Sequence, residues 1–367
     1  MNEVVDYDEV GPEKIIQVYD PKTKLRGVVV IDNTALGPGK GGCRMTPTVN
    51  EEEVKGLARA MTWKNAMAVL PFGGAKSGIF ANSKEITKEE KKSIVEAFGR
   101  ALRGIAPAIY ISAPDMYMGE EEMRQMAEAH GDHKCCTGKP LDMNGLPHEL
   151  GSTGFGVAQS AFVAIEHLGL NCDQITFTVD GFGNVGTFAA KFLTERGAKF
   201  IAASDSKGVI YNPNGLDYDK LMCVKGEMGS VVKYDDGEVL PGEKIAEIKT
   251  DLFIPAAKPD IIHEANKDKV DAKIICCGAN IPMSARIEEE MHEKGVLVVP
   301  DFVANAGGVI SSYIESIDGK EEEVFPMIED KVVKNTKLML ERAKEKGISA
   351  RQAAIEIAKE RISGSKN

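Results

Sequence analysis

No run in this sequence comes near the roughly 20 apolar residues that a membrane-spanning helix needs. Basic residues are also in deficit. Lys and Arg number 45 against 56 Asp and Glu, and the net charge of −11 excludes a general role in holding nucleic acid. The acidic start, Met1-Asn2-Glu3-Val4-Val5-Asp6, lacks the apolar segment of a secretory leader, so none is expected. A disulfide framework is missing too. The seven cysteines are an odd number, and four of them form the adjacent pairs Cys135-Cys136 and Cys276-Cys277. That usage fits a reducing, cytoplasmic location. Low-complexity tracts and internal repeats are absent.

What is present is an ordinary globular composition, 43% hydrophobic and 28% charged, and 367 residues suggest two domains. From about 12 to 135 the pattern is mixed. Ile15–Tyr19 and Leu25–Ile31 read as strands around the turn Asp20-Pro21-Lys22. Asn50 caps a helix through about Met67, with Glu51, Glu52 and Glu53 in its first turn, and a second helix runs from Thr87 to Arg103. From about 151, short apolar runs at 175–179, 199–203, 252–255, 274–277 and 296–300 alternate with helices. That is the signature of an α/β fold with a parallel, doubly wound sheet. The segment from about Phe325 to Ile362 reads as a long amphipathic helix broken near Gly347-Ile348-Ser349 and returning to the first domain. The expected domains are therefore 1–150 with about 325–367, and 151–324.

Gly181-Phe182-Gly183-Asn184-Val185-Gly186 closes one of these strands and opens a helix. In that context a G-x-G-x-x-G binds a dinucleotide. Gly181 permits the turn, Gly183 lets backbone approach a pyrophosphate, and Gly186 lets helix and strand pack closely. The helix N-terminus offers N–H groups to the phosphates. About 20 residues on, Asp205 ends the next strand where a carboxylate reaches the ribose hydroxyls. Asp205 favours NAD. Ser204, Ser206 and Lys207 beside it suit a 2′-phosphate, so NAD or NADP stays open.

Three lysines stand out. Lys76 lies in Pro71-Phe72-Gly73-Gly74-Ala75-Lys76-Ser77-Gly78, between apolar runs. Glycines there make sense where backbone approaches something small, and desolvation would push the lysine toward a useful base. The same run also reads as a glycine turn with a solvated lysine. Lys64 falls on the stripe Val54, Leu57, Ala58, Met61 and Ala68, so it is expected to be buried or to face a cleft. Lys40 is packed among glycines in Gly37-Pro38-Gly39-Lys40-Gly41-Gly42-Cys43-Arg44. The cluster His130-Gly131-Asp132-His133-Lys134-Cys135-Cys136 superficially resembles a metal site. No second Cys/His pair with zinc spacing accompanies it, so it reads as a loop, and no metal is expected.

Together these stretches resemble the glutamate/leucine/phenylalanine/valine dehydrogenase family, most closely its glutamate-specific branch. The resemblance covers about residues 12 to 362. It rests on Gly37–Arg44, Met61-Thr62-Trp63-Lys64-Asn65, Pro71–Gly78, Ala113-Pro114-Asp115 and Thr137-Gly138-Lys139-Pro140. Gly181–Gly186, Ile254-Pro255-Ala256-Ala257, Gly278-Ala279-Asn280 and Asn305-Ala306-Gly307-Gly308-Val309 continue it in order. The resemblance implies a substrate and oligomerisation domain followed by a Rossmann-like domain, with the cleft between them. It also implies reversible oxidative deamination of L-glutamate to 2-oxoglutarate and ammonium. Lys76 would activate water and Asp115 would shuttle protons. Lys64 would hold the α-carboxylate, and Lys40 and Ser312, with Val309 nearby, the side chain of the substrate. Thr153, Ala256, Ala257, Asn280 and Asn305 would line the cofactor site, and the assembly would be a homohexamer. Glutamate follows because branched-chain and aromatic members carry apolar residues where Lys40 and Ser312 stand. The alternatives are a dehydrogenase for another L-amino acid and a catalytically silent nucleotide-binding homologue. Two departures touch cofactor preference and substrate breadth. Ser77 replaces a usual glycine, and the segment from Leu146 to Ser152 is short and atypical.

Overall fold

A computed structural model describes residues 6–147 and 150–365. Most of the stretch read for a leader, and His148 and Glu149 of the atypical segment, lie outside these. The chain divides into two compact units, 1–148 with 309–324 and 357–367, and 149–308 with 325–356.

The first unit is built on a six-stranded mixed sheet. β1 (Lys14–Asp20) and β2 (Leu25–Asn33) form the expected antiparallel hairpin. β3 (Gly39–Lys40), β4 (Cys43–Thr46), β5 (Gly73–Phe80) and β6 (Tyr110–Ile111) complete it in the order β1-β2-β5-β3-β6, with β4 also on β5. Helix α1 (Glu51–Met67) starts where Asn50 accepts a hydrogen bond from the Glu53 N–H. Thr87 and Glu90 close a capping box on α2 (Lys88–Ala101), and α3 (Glu120–His130) packs beside it. Side chains of β2 alternate between two cores. Val28 and Val30 join Val54 and Ala58 of α1. Val29 and Ile31 join Val95 and Phe98 of α2 and Met123 and Met126 of α3. Covered on both faces, β2 reads as a nearly continuous apolar run rather than an alternating one.

The second unit carries a seven-stranded sheet. Its strands are β7 (Thr176–Asp180), β8 (Lys199–Asp205), β9 (Gly208–Tyr211), β10 (Glu238–Leu240), β11 (Thr250–Pro255), β12 (Ala272–Cys276) and β13 (Leu297–Val299). The order is β10-β9-β8-β7-β11-β12-β13. The five strands β8, β7, β11, β12 and β13 are parallel, as the apolar runs predict. The chain runs outward from β7 to β8 and then returns to β11 on the other side of β7. The carboxyl ends of β7 and β11 therefore form the switch point where open α/β sheets bind ligands. Two antiparallel strands, β9 and β10, extend one edge. They are too short, and β10 too exposed, to leave an apolar signal. Helices α4 (Ser152–His167), α5 (Asn184–Glu195), α6 (Tyr218–Met228), α7 (Ala285–Glu293) and α8 (Asp301–Ala304) accompany the sheet.

After α8 come α9 (Gly307–Ser316), α10 (Val324–Lys346) and α11 (Ala350–Gly364). The expected break is present, with Gly347 at φ 63. The expected return of all of 325–367 to the first unit is not what the packing shows, because 325–356 belongs with the second. Phe325 stacks on Phe155 of α4 at 4.5 Å, and Ser160 and Thr336 share a hydrogen bond of 3.1 Å. Residues 309–324, expected in the second domain, group with the first unit. The end of α11 does reach the first unit, where Arg361 Nη1 donates to the Ala66 and Met67 carbonyls at 2.9 Å each.

Candidate functional site

Lys76 stands in the middle of β5, paired with Val30 of β2. Its face of the strand is also that of Gly74 and Gly78. A Cβ on Gly74 would fall 2.0 Å from Thr62 Oγ1, and one on Gly78 2.7 Å from Val49. The glycines thus let α1 lie against β5 on either side of the lysine. Lys76 is 8% exposed, so the solvated alternative does not hold.

Asp115 comes from the loop after β6, which is pinned by mutual hydrogen bonds between the Asp115 and Met118 backbones. Its carboxylate lies 2.5 Å from Lys76 Nζ. Arg44, at the end of the glycine-rich segment, donates from Nε to Asp115 Oδ2 at 3.2 Å. Arg44 Nη1 in turn reaches Glu53 of α1 at 2.5 Å. Burial acts to raise the Asp115 carboxyl, but Lys76 and then Arg44 outweigh it and hold it down at about 2. The sequence reading gave Arg44 no role. Its signal was its place directly after a glycine-packed lysine loop, where a cation has few reasons to be structural.

Lys40 is almost wholly enclosed, at 1% exposure. Its Nζ donates to the Ser112 carbonyl at 3.0 Å and to Thr137 Oγ1 at 2.5 Å. Burial pushes it down to about 7, against the opposing pull of Glu315. Glu315 accepts hydrogen bonds from the Gly138 N–H and from Lys139 Nζ, at 2.8 and 2.6 Å. Ser312 precedes Glu315 by one turn of α9 and so shares its face. Ser312 and Val309 are half-buried. Lys64 is buried, as the stripe demanded, although Leu57 and Met61 on that stripe are only half-buried. The inward face of α1 instead carries polar contacts. Thr62 Oγ1 donates to Asp32 at 2.5 Å, and Asn65 Nδ2 to the Gly73 carbonyl at 2.6 Å.

In the second unit, Gly181 sits at φ 86 at the end of β7. A Cβ there would lie 2.6 Å from Ala257, which follows β11 together with Ala256. Gly183 is the N-cap residue of α5, and a Cβ on it would meet nothing within 4 Å, so the space above the turn is open. A Cβ on Gly186 would strike the Gly181 carbonyl at 2.2 Å, as expected of a helix–strand contact. Asn184 is exposed and Val185 half-exposed, while the Phe182 ring is fully buried, so Phe182 offers a ligand its backbone alone. Ser204 Oγ accepts from the Gly181 N–H at 2.9 Å and donates to Asp180 at 2.7 Å. Asp180, another residue without a role in the sequence reading, is buried under the turn, and burial raises its carboxyl.

Asp205 is heavily engaged by the protein itself. Oδ1 accepts from the Lys207 N–H at 2.8 Å and from Ser230 Oγ at 3.1 Å. Oδ2 accepts from the Val231 N–H at 2.8 Å. Ser206 beside it is exposed. Beyond the other strands, Asn305 Nδ2 donates to the Gly278 carbonyl at 3.2 Å and to Asn280 Oδ1 at 2.9 Å. Asn305 Oδ1 is buried without a partner. Thr153 is half-buried in the first turn of α4, its Oγ1 2.9 Å from where Gly308 would carry a Cβ. An open glycine turn and a buried amide oxygen still lacking a donor both fit a dinucleotide that ends in a carboxamide. Among the described residues, no three His, Cys, Asp or Glu side chains cluster to hold a metal ion, and no helix is long and apolar enough to cross a membrane.

Comparison with known proteins covers both units. Residues 12–131 match the model of the Glu/Leu/Phe/Val dehydrogenase dimerisation domain, and 145–367 that of the Glutamate/Leucine/Phenylalanine/Valine dehydrogenase domain. The chain is 40% identical to a glutamate dehydrogenase of Aeropyrum pernix over 90% of its own length and 83% of that protein's. It is 36% identical to an NADP-specific glutamate dehydrogenase of Saccharolobus shibatae over 88% and 81%. The hetero-hexameric glutamate dehydrogenase of Thermus thermophilus, in a leucine-bound crystal form, superposes with a TM-score of 0.85. That match has 27% identity and covers 96% of this chain and 89% of that one.

Proposed function

The chain belongs to the glutamate/leucine/phenylalanine/valine dehydrogenase family, and we propose that it catalyses the reversible, NAD(P)-dependent oxidative deamination of L-glutamate to 2-oxoglutarate and ammonium. The observation that carries this reading is the enclosed Lys76–Asp115 pair, 2.5 Å apart.

The glycine turn Gly181–Gly186 of the second unit would hold the dinucleotide, whose nicotinamide would supply the acceptor for the hydride lost from the substrate Cα. Lys64, a buried cation, binds the α-carboxylate. Asp115, a carboxylate at neutral pH, takes up a proton as the substrate ammonium becomes an amine. Lys76, in its neutral form, removes a proton from water as the oxygen attacks the imine carbon. Its ammonium then faces the new carbinolamine oxygen. Asp115 returns its proton to nitrogen, and the C–N bond breaks with its electron pair on nitrogen. Ammonia leaves as the carbinolamine hydroxyl gives up its proton and the carbonyl forms. That proton, relayed by Asp115, makes the product ammonium and leaves Asp115 ionised again. Each step asks for an acid or base close to the reacting atom.

Lys40 supports glutamate as the substrate. Two of its three N–H donors are held by Ser112 and Thr137, which leaves one for a side-chain carboxylate. Ser312 adds a hydroxyl from α9. An apolar side chain would leave these groups unanswered.

The test is purified protein with L-glutamate and NAD or NADP, followed at the reduced-nicotinamide band. Lys40→Leu should lower kcat/KM for glutamate by roughly 10²-fold or more. Full glutamate turnover in that variant would shift the reading to another L-amino acid. Cofactor binding with no amino acid oxidised would favour a silent homologue. We further propose a homohexamer, which sedimentation would check. A reducing cytoplasm is supported by seven cysteines, all of them free.

A further inference from the structure

The nucleotide-binding turn holds a cation that no part of the reaction uses. Lys225 projects from α6, and its Nζ donates to the Phe182 carbonyl inside the glycine turn. The same ammonium lies 4.0 Å from Asp205 Oδ2. It therefore bridges the two features between which an adenosine ribose lies in this kind of fold, the phosphate-binding turn and the acid at the end of the second strand.

The state of Asp205 gives this cation its meaning. A carboxylate has about four lone-pair positions. Lys207, Ser230 and Val231 occupy three of them. The remaining one is on Oδ2, the oxygen that lies 4.0 Å from Lys225 Nζ. Asp205 thus cannot clasp both ribose hydroxyls with two free oxygens, the arrangement that selects an unphosphorylated ribose. Its charge is also offset, so it does not repel a second anion. Lys225 keeps two N–H donors after Phe182, and exposed Ser206 and Lys207 stand on the same turn.

We propose that Lys225 binds the 2′-phosphate of NADP and is the residue that makes this chain accept the phosphorylated dinucleotide at least as well as NAD. The proposal rests on the dinucleotide reading of the glycine turn, and is independent of which amino acid is oxidised.

Direct binding tests it. Dissociation constants for NADPH and NADH are measured by nicotinamide fluorescence on the full-length wild type, Lys225→Ala and Lys225→Arg. A charge-assisted contact to phosphate predicts that Lys225→Ala loses about tenfold or more in NADPH affinity while NADH stays within about twofold. Lys225→Arg should keep most of the NADPH affinity, and raised salt should weaken NADPH more than NADH in the wild type. Equal losses of both cofactors in Lys225→Ala would overturn the proposal and leave Lys225 as a prop of the turn. A wild type that binds NADH about tenfold more tightly than NADPH would overturn it as well. If NADPH selectivity depends on Lys225 but no amino acid is oxidised, the dehydrogenase reading fails and this one stands. If neither cofactor binds, both fail.

Discussion

Asp115 shows how three neighbours decide what one carboxyl can do. Burial alone would make it a weak acid, yet Lys76 and Arg44 hold it at about 2. Asp115 is therefore ionised at rest, and the proton that it is proposed to return to nitrogen must first be collected. Lys76→Ala removes the base and should lower kcat for glutamate by roughly 10²–10⁴-fold, while NADPH binding by the other unit persists. The same substitution alters acid stability. A carboxyl held below its ordinary value of 3.8 contributes stability that is fully present above that pH and is lost as the pH falls toward 2. The wild-type urea midpoint should therefore drop more steeply than the variant's between about pH 4 and 2. Identical slopes would mean that Lys76 does little to the carboxyl.

Among the elements, α7, α8 and α11 meet at a buried charge cluster. Arg351 donates to Glu288 at 3.1 Å and lies 3.7 Å from Asp301. Burial raises the Glu288 carboxyl to about 7. Arg351 opposes the rise, and Asp301 adds to it. An acid raised this way binds its proton more tightly folded than unfolded. Stability should therefore fall as pH climbs from about 4.5 to 7 and level off above, by a few kcal/mol. Glu288→Gln should flatten that limb in a series of thermal midpoints, and an unchanged slope would count against it. Sequence revealed β1, β2, the five parallel strands, α1, α2 and the glycine turn because each has a local signature: a run, a cap, or glycines before a helix. It also exposed Lys76 and Lys64 as charges in apolar settings. It did not reveal which unit α10 covers, since an amphipathic face does not name its partner. Arg44, Lys225 and Asp180 stayed silent for a similar reason. Their partners lie 71, 43 and 24 residues away along the chain, and only the fold brings them together.

Across the whole molecule, each unit is assembled from separated stretches, three in the first and two in the second. The Lys76–Asp115 pair proposed to be catalytic belongs to the first and the glycine turn proposed to hold the dinucleotide to the second, so neither could run the proposed reaction alone. The last stretch of the first unit is held by Arg361 on the Ala66 and Met67 carbonyls and by Lys359 on Glu9. Carbonyls at the end of a helix want such donors. Arg361→Ala should destabilise the first unit by about 1–3 kcal/mol, read as a lower urea midpoint, with faster amide exchange where α1 ends. A midpoint within error of the wild type would show that water replaces the guanidinium. The helix so capped is α1, which carries Lys64 near that same end. During synthesis, then, a helix made early waits nearly the full length of the chain for its final partner. The N–H groups of Ala68, Leu70 and Val69 close the Lys64, Asn65 and Ala66 carbonyls locally. The Met67 carbonyl, however, receives its guanidinium only after residue 361 has been made, so an interrupted translation product would carry Lys64 on a helix that lacks this last tie.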